Sequence, residues 1–87
     1  MSNGVVMLMI WPDGKVLSAV ADFDDGGADA QETRARDRMY RLVATKLCNP
    51  AFAECLSRYE LQAVIRSMTD NKGFKIERVL IGHEATQ

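Results

Sequence analysis

The densest set of potential ligand groups in the chain is a run of carboxylates in its first third, which we call the acidic stretch. It comprises Asp22, Asp24, Asp25, Asp29 and Glu32, with no basic residue between them. Carboxylates of this kind bind calcium in EF-hand loops, but Gly26 stands at the fifth position of that pattern, and Thr33 at the twelfth, where a bidentate glutamate is needed. We therefore predict neither a metal site nor any other cofactor. The stretch is instead predicted to cap a helix and to contact a basic surface on a partner.

Three arginines beyond the acidic stretch share one side of a predicted helix, and we call them the arginine face. Arg34, Arg38 and Arg41 recur at i, i+4 and i+7, which places their side chains on one face of a helix. Guanidinium groups in such an array suit phosphates or an acidic protein surface. Most such faces are solvated, and the aromatic residues that would add support, Trp11 and Phe74, are better candidates for the core. Nucleic-acid binding through the arginine face is our alternative prediction.

No set of residues predicts an enzyme. Cys48 and Cys55 are too few for a disulfide scaffold, and their spacing matches no familiar zinc or redox motif. Either thiol could act as a nucleophile with His83 as its base, yet no motif brings these groups within hydrogen-bond reach. Gly26 and Gly27 lack the further glycines and the lysine of a phosphate-binding loop. We therefore predict no catalytic residues, and a small-molecule or enzymatic role ranks last.

The composition predicts a single domain over residues 1–87, with residues 1–4 and 83–87 expected to fray. Eleven basic against twelve acidic residues give a net charge of −1, which argues against the broad basic surface of a general nucleic-acid binder. No apolar run reaches the roughly 18 residues of a membrane span, and the amino terminus shows no secretory signal. We predict a cytoplasmic protein with no membrane role.

The elements that position these groups begin with a predicted hairpin. Residues 5–11 (VVMLMIW) form a continuous apolar run whose length and β-branched content favour a strand. The turn residues Pro12, Asp13 and Gly14 follow, and residues 16–23 are predicted to return as a second strand. Because the first run lacks polar alternation, both of its faces are expected to be covered.

Two capping-box spacings predict where the longer helices begin. Asp29 stands three residues before Glu32, and Ser57 stands three residues before Glu60. The resulting helices are predicted over residues 30–48 and from Ser57 until the pattern runs out at Asp70, with a short helix over residues 50–56 between them and a third strand over residues 74–81.

This order predicts an α+β fold, a small antiparallel three-stranded sheet (β-β-α-short α-α-β) with helices packed on one face. The middle strand then carries apolar side chains on both faces, with Val5, Met7, Met9 and Trp11 on one and Val6, Leu8 and Ile10 on the other. Helices cover only one face, and leaving such side chains exposed costs roughly 1.5–3 kcal/mol each. We assign the face formed by Val5, Met7, Met9 and Trp11 to a dimer or partner contact and predict a homodimer.

Together these features predict a non-enzymatic protein–protein interaction module that binds a macromolecular target. In size and composition the chain is comparable to accessory proteins of phages and mobile elements, including inhibitors of host defence, although no motif carries that comparison. The acidic stretch would then compete for a basic, nucleic-acid-binding surface on the target.

Overall fold

A three-stranded antiparallel sheet forms the centre of the computed structural model, which describes residues 3–83. Strand β1 (Gly4–Ile10) lies between β2 (Val16–Asp22) and β3 (Lys75–Ile81), and both neighbours run antiparallel to it. The connection from β2 to β3 contains three helices, α1 (Ala28–Leu47), α2 (Pro50–Cys55) and α3 (Arg58–Lys72). The predicted α+β fold, its element order and its central first strand are confirmed.

The turn between β1 and β2 follows from its residue types. The backbone N–H of Lys15 donates to Asp13 Oδ1 at 2.9 Å, and Gly14 adopts a positive φ of 94°. Trp11 closes the hairpin, since its N–H donates to the Lys15 carbonyl at 2.8 Å. Beyond this point the pairing with β1 shifts by one residue at Leu17, which forms a β-bulge. The predicted hairpin is therefore present.

Helix α1 begins two residues earlier than predicted and without the predicted capping box. Its N-cap residue is Gly27, which has no side chain to accept a hydrogen bond. Asp29 lies in the first turn, where a negative charge is stabilised by the helix dipole. Glu32 forms ion pairs with Arg36 and Arg78. The capping prediction at Asp29 was therefore wrong, because the helix begins at Ala28 and Asp29 lies inside its first turn rather than at the N-cap.

Helix α3 confirms the second predicted capping box. Ser57 Oγ accepts the backbone N–H of Glu60 at 3.2 Å, and the Glu60 carboxylate accepts the backbone N–H of Ser57 at 2.7 Å. The Glu60 carboxylate accepts hydrogen bonds from the backbone N–H of Ser57 and from its hydroxyl, and these bonds hold the pKa of Glu60 below its usual value. Gly73, with a φ of 76°, ends the helix in the left-handed conformation that glycine favours.

The helices lie on one side of the sheet and enclose the core with it. Helix α1 packs directly on β1 and β2, while α2 and α3 pack on α1. The main core cluster contains Val5, Met7, Met9, Ala35, Met39, Val43, Ile65 and Phe74.

This arrangement corrects the assignment of the contact face. Val5, Met7 and Met9 are 0%, 1% and 1% exposed beneath the helices, so they are not available to a partner. Trp11 is half-buried at the end of the same side, with its ring centroid 4.5 Å from that of Phe74. Because β1 is apolar on both faces, its own pattern does not distinguish the side that α1 covers. The contact face predicted on Val5, Met7, Met9 and Trp11 was therefore wrong, and the side that faces away from the helices is the opposite one.

Gln31 connects the two ends of the described chain. Its side chain is buried, and Nε2 donates to the carbonyls of Asn3 and Asp24, each at 2.9 Å. Its Oε1 lies 2.6 Å from His83 Nε2, which therefore acts as the donor. Gly4 is a buried residue of β1. The remainder of the predicted frayed ends lies outside the described residues.

Candidate interaction surface

The side of the sheet that faces away from the helices carries an apolar surface, which we call the uncovered face. It consists of Val6, Leu8 and Ile10 on β1, Val16, Ala19 and Ala21 on β2, and Val79 and Ile81 on β3. These residues share a face because paired strand residues point to the same side of a sheet. Val16, Val79 and Ile81 are 56%, 44% and 38% exposed, and the β1 side chains are half-buried. The surface therefore runs across all three strands.

Phe23 extends the uncovered face at one end. Its ring lies directly over the backbone of Gly4, where a Cβ would be only 2.3 Å from Phe23 Cδ1. Glycine at this position of β1 therefore permits a close approach that any side chain would prevent. The ring is 46% exposed, so it adds to the apolar surface.

The charged side chains on this side of β3 are Lys75 and Glu77. They pair with Ile10 and Leu8 of β1, respectively, and so stand beside the apolar middle strand. Their opposite charges are two residues apart and cancel. An apolar surface with balanced charge suits a protein partner better than it suits a polyanion.

Asp22, the first residue of the acidic stretch, is buried among arginines. Its carboxylate accepts hydrogen bonds from Arg34 Nε and Nη2 at 3.0 and 2.9 Å, a bidentate pairing. Arg38 approaches to 3.2 Å, and the backbone N–H of Asp24 donates at 3.0 Å. We call Asp22, Arg34 and Arg38 the Asp22 clasp.

The clasp controls the protonation of its members. The Arg34 hydrogen bonds outweigh the opposing effect of burial and hold the pKa of Asp22 below its usual value. The same bonds raise the pKa of Arg34. Because the Asp22 side chain is 0% exposed, it cannot contact a partner.

The rest of the acidic stretch does not form one patch. Asp24 and Asp25 lie in an exposed loop, and their backbone carbonyls accept hydrogen bonds from Arg34 Nη2 at 3.2 and 2.9 Å. Asp29 is exposed in the first turn of α1. Glu32 is occupied by its ion pairs, which leaves Asp24, Asp25 and Asp29 as the accessible carboxylates of the predicted acidic contact.

The arginine face holds α1 against its neighbours. Arg38 Nη2 donates to the Ala21 carbonyl at 2.7 Å. Arg41 donates to the Ala53 carbonyl at 2.7 Å and to the C-cap carbonyl of α2 at 3.3 Å. With Arg34 in the clasp, each of the three guanidinium groups has an intramolecular partner. The Arg34 and Arg38 side chains nevertheless retain 38% and 48% exposure.

The candidate catalytic side chains of the sequence do not form an interacting set. Cys48 is half-buried after α1, Cys55 is exposed at the end of α2, and both are free thiols. His83 bonds to Gln31 instead. Over residues 3–83 no three histidine, cysteine or acidic side chains are grouped so that they could hold a metal ion.

Several hollows lie in the helical layer, and two of them involve the middle of α1. One, of about 210 Å³, is lined by Asp37, Arg38, Tyr40, Arg41, Arg58 and Leu61. Within it Arg58 pairs with Asp37 at 3.3 Å, and burial raises the pKa of the Tyr40 phenol. The other, of about 500 Å³, is a groove between α1, α3 and β3 that includes Ile76. Neither lining includes a cysteine or a histidine, whereas a further groove of about 430 Å³ beside the end of α1 is lined in part by Cys48.

The comparisons with models of known families, with curated proteins and with solved structures find no match to this chain. In the part of the chain that the structure describes, no helix combines the length and apolar character needed to cross a membrane. The candidate surface therefore stands on its geometry and chemistry.

Sequence reasoning missed Val79 and Ile81 as members of the candidate surface. A signal for them exists, because residues 79–81 (VLI) are apolar on both faces of a strand that is predicted to lie at a sheet edge. It recognised Val6, Leu8 and Ile10 as one face of β1 but placed the contact on the other face.

Proposed function

We propose that this chain is a non-enzymatic protein–protein interaction module that binds a protein partner through the uncovered face. The observation that carries the proposal is the middle strand, whose side chains Val6, Leu8 and Ile10 are only half-buried on the side opposite the helices. Extended apolar surfaces are uncommon on monomers and mark sites of association. The complementary partner surface is apolar at its centre and accommodates Lys75 and Glu77 at one side.

The gain from covering this face depends on how many strands the partner spans. A fully buried valine, leucine or isoleucine side chain contributes about 1.5–3 kcal/mol, and a half-buried one contributes less. Association costs about 4–15 kcal/mol in lost translational and rotational freedom. A contact limited to one strand gains too little to meet that cost. A partner that covers Leu8 of β1 together with Val79 and Ile81 of β3 buries several such side chains at once.

The other predicted properties belong to the same proposal. Self-association as a homodimer is one form of the contact, and the setting is cytoplasmic. An accessory or inhibitory role for a phage or mobile element is supported by size and composition alone. A basic surface on the partner would meet Asp24 and Asp25, since Asp22 is enclosed in its clasp.

A photo-crosslinking experiment tests the uncovered face directly. A photoreactive phenylalanine analogue replaces Ala19, an exposed residue of this face on β2, and the protein is irradiated in extract of the cells that naturally make it. The matched control carries the analogue at Phe52, which is 50% exposed on α2. We expect a specific adduct at Ala19 that the control lacks and that Leu8→Glu abolishes. Equal adducts at both positions, or no adduct at Ala19, would contradict the proposal.

A further inference from the structure

In the part of the chain that the structure describes, the outer edge of β3 is open along the length of the strand. All seven residues of β3 are exposed, and the strand lies at one end of the sheet. Within the described residues, its backbone has hydrogen-bond partners in β1 alone. Such an edge presents unpaired N–H and C=O groups that pair readily with another strand.

The pairing with β1 determines which backbone groups of β3 face this edge. The Trp11 N–H donates to the Lys15 carbonyl, so the N–H and C=O of Trp11 face β2. Because these groups alternate between the two sides along a strand, those of Val5, Met7 and Met9 also face β2. The intervening residues of β1 face β3 and bond to their partners there. The groups of β3 that remain, the N–H and C=O of Ile76, Arg78 and Leu80, therefore point outwards.

The opposite edge of the sheet is protected. Arg38 donates to the Ala21 carbonyl at 2.7 Å, and Lys46 Nζ donates to the Leu17 carbonyl at 3.0 Å. These side chains of α1 occupy outward carbonyls of β2 and place positive charge along that edge, which hinders the addition of a further strand. The contrast between the two edges identifies β3 as the strand available for pairing.

We propose that two copies of this chain associate by antiparallel pairing of their β3 strands, giving a continuous six-stranded sheet with its two-fold axis at Arg78. The outward groups suit a second copy, because Ile76 and Leu80 lie two residues to either side of Arg78. In the register centred on Arg78, Ile76 meets the partner's Leu80 and the two Arg78 backbones meet each other. All the outward groups are then paired, whereas a register shifted by two residues leaves one residue unpaired on each strand.

The charge at the axis is compatible with this register. Two arginines directly opposite each other destabilise a strand pair when their charges are unopposed. Arg78 Nη1, however, donates to Glu32 Oε1 of the same chain at 2.8 Å, and this carboxylate, which also pairs with Arg36, offsets part of the positive charge at the axis. On either side, Ile76 and Leu80, which are 36% and 37% exposed, form the apolar cross-strand pairs.

The pairing goes beyond the proposed function, because it assigns a second copy to the edge of the sheet, whereas the proposed function concerns the uncovered face. It also joins two uncovered faces into one surface across six strands. That larger surface stays open to a further partner, because strand pairing uses the edge of the sheet and leaves its face free.

Two variants at one residue test the pairing by mass. Arg78→Pro removes the outward N–H at the axis but keeps the bonds of the neighbouring residues to β1, and Arg78→Ala removes the charge but keeps the N–H. We expect light scattering to give the native chain and Arg78→Ala twice the 9.7 kDa of one chain, and Arg78→Pro the mass of one chain. A single-chain mass for the native protein at up to about 1 mM, or a dimer that persists in Arg78→Pro, would overturn the proposal.

Amide exchange measured by NMR on the native chain tests the same pairing without requiring any variant to fold. The amides of Ile76, Arg78 and Leu80 are expected to exchange at least about tenfold more slowly in concentrated than in dilute protein, whereas those of Glu77 and Val79, which bond to β1, keep the same rate. Equal rates for the outward amides in concentrated protein and in protein dilute enough for light scattering to give the mass of one chain overturn the proposal. A monomer that still crosslinks a partner from Ala19 leaves the proposed function intact, and a dimer without such an adduct contradicts only that function.

Discussion

Removing the negative charge of Asp22 is the most informative single change in the chain. Asp22→Asn keeps the shape of the side chain and can still accept the backbone N–H of Asp24, but it replaces one carboxylate oxygen with an NH₂ group that faces arginine donors. The variant loses the bidentate pairing with Arg34 and the ion pair with Arg38. The structure therefore predicts a clear loss of stability.

The size of the loss follows from the contacts and their exposure. Hydrogen bonds to charged groups contribute about 1.5–3 kcal/mol each, so two from Arg34 give at least about 3 kcal/mol. The Arg34 and Arg38 side chains are 38% and 48% exposed and regain water in the variant, which lowers the expected cost to about 2 kcal/mol. In a domain of this length, that cost lowers Tm by about 8–16 °C.

The measurement is urea unfolding followed by circular dichroism as a function of pH. Because the pKa of Asp22 is lowered in the folded state, its contribution is present above the usual aspartate pKa of about 3.9 and is lost as the pH falls through the lower folded value. The stabilities of the native chain and Asp22→Asn are therefore expected to differ at neutral pH and to converge in acid.

Asp25→Asn is the matched control for this change. It removes the same charge from the adjoining loop, where the backbone carbonyl rather than the side chain of Asp25 accepts from Arg34. A cost for Asp22→Asn within about 0.5 kcal/mol of this control, the usual range of surface substitutions, would refute the account of the clasp. A difference that stays constant from neutral to acid pH would refute its electrostatic origin.

Two further predictions concern the cap of α3 and the arginine face. Ser57→Ala removes the acceptor of the Glu60 N–H and is expected to lower the free energy of unfolding by about 1 kcal/mol in urea titrations. Ser57→Thr is the conservative control and is expected to retain most of that stability. A cost of Ser57→Ala below the measurement error would show that the cap contributes nothing. For the alternative function, we expect no low-salt mobility shift with duplex or single-stranded nucleic acid, because Arg34, Arg38 and Arg41 already have intramolecular partners. A shift that Arg41→Gln weakens would instead favour nucleic-acid binding.

The fold was predictable where short-range chemistry decides it. The apolar run of β1, the turn at Asp13 and Gly14, and the capping box of Ser57 and Glu60 each depend on residues close together in the chain. These signals were sufficient for the element order and for the α+β class. The box expected at Asp29 failed because α1 begins at Ala28, and Glu32 instead meets Arg78, a residue 46 positions away that no local pattern could pair with it.

The candidate surface was predictable only in part. The apolar character of both faces of β1 correctly indicated that a three-stranded sheet with one helical layer leaves a face uncovered. It did not indicate that Val5, Met7 and Met9 would be the covered set. That choice depends on where α1 packs, which is a long-range property of the fold.

The sequence by itself determined a small α+β domain with two adjoining, oppositely charged segments and more apolar surface than one helical layer can cover. Only the tertiary structure decided what those features do. It brings the end of β2 against α1, so that Asp22 and Arg34, twelve residues apart, neutralise each other instead of forming two binding patches. It also places β3 at an open edge, because side chains of α1 reach β2 and protect only the opposite edge.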